Sequence, residues 1–81
     1  MANSNTVENL LVFIKETLKL SEISREAQMG KVKGWDSLRH LKLITSLEKK
    51  FDIEIPIDEI ANLVTVNYII TYLSELNVIQ D

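Results

Sequence analysis

Apolar residues recur at helical spacing over three stretches of the chain. Val7, Leu10, Leu11, Ile14 and Leu18 form the first stripe, with Glu8, Lys15, Glu16 and Lys19 on the opposite side. This predicts an amphipathic helix ending near Leu20, with Asn5 as its cap and Glu8 placed as in a capping box. The second stripe is His40, Leu43, Ile44, Leu47 and Phe51, on a helix predicted over residues 37–50 and capped by Asp36. Leu38, Leu41 and Thr45 occupy a neighbouring sector, so the apolar arc is wider than one buried stripe requires, and Leu38 and Leu41 are expected to be partly exposed. Arg39, Lys42, Ser46, Lys49 and Lys50 complete the circle. The third stripe, Val66, Ile69, Ile70, Leu73 and Leu76, predicts a final helix capped by Thr65, with Tyr68 and Tyr72 on one flank.

Between these stripes the periodicity breaks. Residues 21–35 hold both glycines, Gly30 and Gly34, and form a connection long for a compact domain, of the kind that is usually functional or disordered. Ile23, Ala27, Met29 and Val32 are spaced to pin it to a helical surface. Residues 52–56 are predicted extended, because the residue before Pro56 is steered away from helical angles. A short helix is predicted over residues 57–63, with Ile57, Ile60, Ala61 and Leu63 turned to the core. The fold class expected is all-α: a small four-helix bundle of three longer helices and one short one, with a long first loop.

Eighty-one residues are enough for one domain, residues 1–81, with 1–5 a flexible start. The absence of cysteine excludes disulfides, thiolate catalysis and zinc–thiolate sites, and makes the cytoplasm the expected location. The polar start does not resemble a signal peptide, and no stretch reaches the roughly 18 apolar residues of a membrane span. The net charge of −3 is unevenly spread. Six basic residues and two acids lie between Lys31 and Lys50, so that segment is +4 and the remainder −7. The basic residues are too few, on too acidic a chain, for a nucleic-acid binder.

Asp36-Ser37 alone is an ordinary helix cap. Joined to Gly34 before it, Leu38 after it, then Leu47-Glu48, Phe51 and Ile53-Glu54-Ile55-Pro56, it resembles the acyl carrier protein family, of the stand-alone type. The resemblance covers essentially the whole chain. It implies that Ser37 carries a covalent 4′-phosphopantetheine arm whose thiol holds acyl intermediates as thioesters, and that Asp36 helps hold Mg²⁺ during the modification. A serine at a helix start suits such a phosphodiester, because unpaired N–H groups and the positive end of the helix dipole face it. The implied partners are a phosphopantetheinyl transferase and acyl-loading and acyl-transferring enzymes, engaged through Leu38, Arg39, Leu41, Lys42, Thr45 and Lys49. The carrier is expected to be a monomer, not an enzyme, with no membrane or nucleic-acid partner. Leu11, Ile14, Leu47, Ile60 and Leu73 are candidate walls for a sheltered acyl chain, and equally plain core.

Two other functions fit the same residues: an aminoacyl or peptidyl carrier, and an unmodified helical adaptor using the Leu38/Leu41 patch. The chain departs from the family in three places. Carriers of fatty-acid synthesis usually have an acidic second helix, where this one has Arg39, Lys42, Lys49 and Lys50. Lys33 stands where an apolar residue often precedes the glycine, and Trp35 replaces a small residue. Trp35 is expected as a half-buried cap on the loop. His40, the only histidine, is expected to be a satisfied structural residue, or to border the mouth through which an acyl chain passes.

Overall fold

The computed structural model describes residues 6–79 as four helices, with no strand among the described residues. They are α1 (Val7–Leu18), α2 (Ser37–Phe51), α3 (Ile57–Ile60) and α4 (Val66–Glu75). The all-helical bundle expected from the periodicity is present.

Helix α1 buries Val7, Leu10, Ile14 and Leu18 of the predicted stripe, and Leu11 is half-buried. Its cap is Thr6, whose Oγ1 accepts from the Asn9 N–H at 3.2 Å; Asn5 lies outside the described residues. The helix stops before Leu20 because Lys19 turns left-handed, at φ 58°. The Lys19 and Leu20 N–H groups then donate to the Glu16 and Lys15 carbonyls, a Schellman closure. Glycine normally signals that stop, and a lysine in its place gives the sequence no marker.

In α2, Asp36 caps as predicted: its Oδ1 accepts from the Arg39 N–H at 2.9 Å. His40, Leu43, Ile44 and Leu47 are buried. The helix runs one residue past the predicted end and closes on Asp52, which is left-handed (φ 54°) rather than extended. Glu48 Oε2 then accepts the Ile55 N–H at 2.8 Å, fixing the path out of the helix. Thr65 caps α4 as predicted, taking the Tyr68 N–H at 3.1 Å. Leu76, expected in the α4 stripe, lies past the helix end and is exposed.

The short segment differs most from expectation. Helix α3 has four residues and none of them is buried. Ile57, predicted to be core, is 83% exposed, and Ala61 is also exposed. Leu63 alone of the four is fully buried, while Ile60 is half-buried. A stretch this brief has no second turn against which a stripe could be phased.

The long loop is ordered by pairing with the start of α4. Met29 N–H donates to the Val64 carbonyl at 2.8 Å, and Val66 and Asn67 N–H groups donate to the Ala27 and Arg25 carbonyls. Ala27 is buried and Ile23, Met29 and Val32 are half-buried against the core, as their spacing suggested. Trp35, expected half-buried, is only 1% exposed. Its N–H has an internal partner, which lets the whole indole leave water.

Candidate functional site

The site forms where the long loop enters α2. Gly34 sits at φ +96°, a conformation that side chains resist, and a Cβ there would meet Leu20 Cδ2 at 3.2 Å. The Gly30 N–H closes the turn onto the Trp35 carbonyl at 2.9 Å. The chain then delivers Asp36 and Ser37 to the surface at the first turn of α2, both exposed. Asp36 is committed through Oδ1 to the cap, which fixes its carboxylate at the residue immediately before Ser37.

An open groove of about 510 Å³ starts at Ser37 and runs between α2 and α3. His40 and Leu41 form one wall, Ile57, Ile60 and Ala61 the other, and Met29 and Val64 complete it. Of the acyl-wall candidates chosen from the sequence, only Ile60 lines this groove. Ile14, Leu47 and Leu73 are fully buried in the core, and Leu11 is half-buried against it. Periodicity identifies the buried face of α1 and α4; it carries no information about a furrow along the flank of α2.

His40 is buried and both ring nitrogens are engaged. Trp35 Nε1–H donates to Nδ1 at 3.1 Å, and Nε2 lies 2.9 Å from the Ile60 carbonyl oxygen. An indole N–H only donates and a carbonyl only accepts, so the arrangement requires the neutral Nε2–H tautomer. The two rings are tilted by 38° with centroids 5.9 Å apart. The expectation of a satisfied structural residue holds for His40, and its ring also borders the groove.

The outward face of α2 presents Leu38, 78% exposed, and Leu41, 53% exposed, more open than expected. Arg39, Lys42, Thr45 and Lys49 are exposed around them. The Thr45 hydroxyl donates back to the Leu41 carbonyl at 3.0 Å. Lys19, twenty residues before Arg39, joins Leu38, Arg39 and Lys42 around a second recess of about 290 Å³. Arg39 also reaches the Leu18 carbonyl at 3.4 Å, where α1 ends. Lys50 leaves this face: its ammonium lies 5.0 Å from the Phe13 ring centre and 5.7 Å from that of Phe51. The structure thus adds Lys19 to the basic rim and removes Lys50.

The family described as "Phosphopantetheine attachment site" matches residues 8–73. The chain belongs to the acyl carrier protein family. It is 34% identical over 70 residues to the acyl carrier protein of Helicobacter pylori strain J99, covering 84% of this chain and 90% of the relative. A relative from Porphyromonas gingivalis, also an acyl carrier protein, is 35% identical over 65 residues, with 80% of this chain and 83% of the relative covered. Covalently attached 4′-phosphopantetheine is the cofactor of this family, whose members carry groups for enzymes and are not enzymes themselves. The residues present fit that group. An exposed hydroxyl stands at a helix N-terminus suited to a phosphodiester, and an apolar groove begins beside it. No helix among the described residues is long and apolar enough to cross a membrane.

Proposed function

We propose that Ser37 takes the 4′-phosphopantetheine arm and that the carrier holds acyl groups as thioesters on the arm's thiol. The observation that carries this is the exposed Ser37 hydroxyl at the capped start of α2, with the α2–α3 groove opening directly from it. Asp36, held by the cap, supplies a carboxylate for the Mg²⁺ that accompanies the transfer, in keeping with that ion's preference for carboxylate and phosphate oxygens. Acyl cargo is preferred to aminoacyl cargo because both relatives bear the acyl carrier name and because the groove lining is nearly all apolar.

Partner enzymes dock on Leu38 and Leu41, with Arg39, Lys42, Thr45 and Lys49 around them and Lys19, which shares a recess with Leu38, Arg39 and Lys42, joining that rim. The fitting partner surface is an apolar recess with an acidic border. The carrier works as a monomer in the cytoplasm, where coenzyme A and a phosphopantetheinyl transferase meet it.

Incubating the protein with coenzyme A, Mg²⁺ and a broad-specificity phosphopantetheinyl transferase should add the mass of one arm. Ser37→Ala should show no gain while keeping its circular dichroism spectrum. A gain that survives Ser37→Ala would overturn the assignment.

A further inference from the structure

The groove beside Ser37 has one fixed wall and one lightly held wall. Helix α2 is anchored by four buried side chains, whereas α3 has none. Side-chain hydrogen bonds reach α3 from His40 and Tyr68. His40 Nε2–H donates to the Ile60 carbonyl at 2.9 Å, and the Tyr68 hydroxyl meets Glu59 Oε1 at 3.4 Å on the exposed side. The His40 bond is the shorter, and it alone lies within the groove.

His40, on the α2 wall, also separates the groove from the buried Trp35. Its imidazole lines the groove while remaining 3% exposed, and behind it stands Trp35 at 1%. Both ring nitrogens are committed, so the imidazole offers a cargo chain no spare donor or acceptor. A chain pushing inward must swing the ring aside. That would break the bond to the Ile60 carbonyl and strand the Trp35 N–H, which is buried away from water. Such a penalty is absent for a chain lying along Leu41, Ile57 and Ile60 in the outer groove.

We infer that His40 is a specificity-determining residue for the cargo: by tying α3 to α2 it confines acyl chains to the outer groove and bars them from the core. The inference rests on the carrier reading above. The cargo class it selects is a chain whose first carbons fill the groove and whose further carbons extend into solvent.

The test loads wild type, His40→Leu and Trp35→Phe from acyl-coenzyme A donors running from butanoyl to dodecanoyl, using the same transferase. Intact mass reports loading, and the thermal midpoint of each acyl form is compared with that of the unacylated arm-bearing form. In wild type the stabilisation should rise over the short chains and then level off. In His40→Leu it should keep rising with length, and amide exchange across residues 57–64 of the unmodified protein should quicken roughly tenfold. Steadily climbing stabilisation in wild type, or identical length profiles in the two proteins, would overturn the inference. If His40→Leu does not fold, Trp35→Phe decides, since it keeps a ring but removes the N–H. Its plateau should move to longer chains, and an unmoved plateau counts against His40. Absence of any mass gain strikes the Ser37 assignment instead, and the exchange comparison on unmodified protein then decides the tie alone: unchanged exchange refutes it.

Discussion

Trp35 Nε1 stands 3.1 Å from His40 Nδ1, five residues further on and one turn into α2, so the last loop residue before the cap is clamped to the helix it precedes. The bond is buried, and its loss leaves an unmatched polar atom in the core. Trp35→Phe should therefore cost about 1–3 kcal/mol in urea unfolding beyond its small volume change. The nitrogen shifts of His40 in NMR should report Nε2 protonated and Nδ1 bare. The opposite pattern would refute the bonding described.

Asp36 carries two separable duties, capping α2 and standing beside Ser37. Asparagine caps about as well as aspartate, so Asp36→Asn should unfold at nearly the wild-type urea concentration, whereas Asp36→Ala should lose about 1 kcal/mol. Both should be loaded slowly by the transferase, since neither keeps the carboxylate. Normal loading of Asp36→Asn would leave the residue as a cap only.

The two glycines differ in what surrounds them. Gly30 at φ +87° has open space about it, while at Gly34 (φ +96°) a Cβ would press on Leu20 at 3.2 Å. Gly30→Ala should cost only the left-handed strain of roughly 1–2 kcal/mol. Gly34→Ala should cost more and disturb the approach to Asp36. Equal midpoints in denaturant would contradict this ordering.

Arg39→Glu with Lys42→Glu tests the basic rim. Both side chains are exposed, so the loss of stability should be small, about 1 kcal/mol at most, and come mainly from Arg39, which gives up its bond to the Leu18 carbonyl. Loading by partner enzymes should slow at low salt, and the difference from wild type should shrink as the screening length falls from about 10 Å at 0.1 M to about 3 Å at 1 M. A rate unmoved at low salt would make this rim ordinary solvated surface.

The Tyr68 phenol is held above the usual tyrosine value, first by the charge of Glu59, then by partial burial and the hydrogen bond to Glu59. Tyr72 is also raised, mainly by burial. A phenol that keeps its proton longer in the folded state than in the unfolded one leaves stability unaffected below the unfolded value. Stability then falls as pH climbs from there through the folded value. Glu59→Gln should bring the tyrosinate absorbance transition to lower pH, and an unshifted transition would remove Glu59 as the cause.

How much of this was legible in advance follows from the range of the interactions involved. The stripes of α1, α2 and α4, the caps at Asp36 and Thr65, and the Gly34-to-Leu38 motif all rest on contacts within three or four residues, so the residue order by itself determined them. The periodicity puts the end of α1 near Leu20, close to its Lys19 cap, but the left-handed turn at Lys19 that makes the stop was not legible, since glycine would have advertised it. Helix α3 escaped because four residues are too few to set a phase. The groove, the addition of Lys19 to the rim of Arg39 and Lys42, and the removal of Lys50 to Phe13 were decided only by tertiary structure. So was the bond from His40 to Ile60, twenty residues apart. Each depends on how separately formed helices meet, and helical periodicity constrains only the face that each one buries.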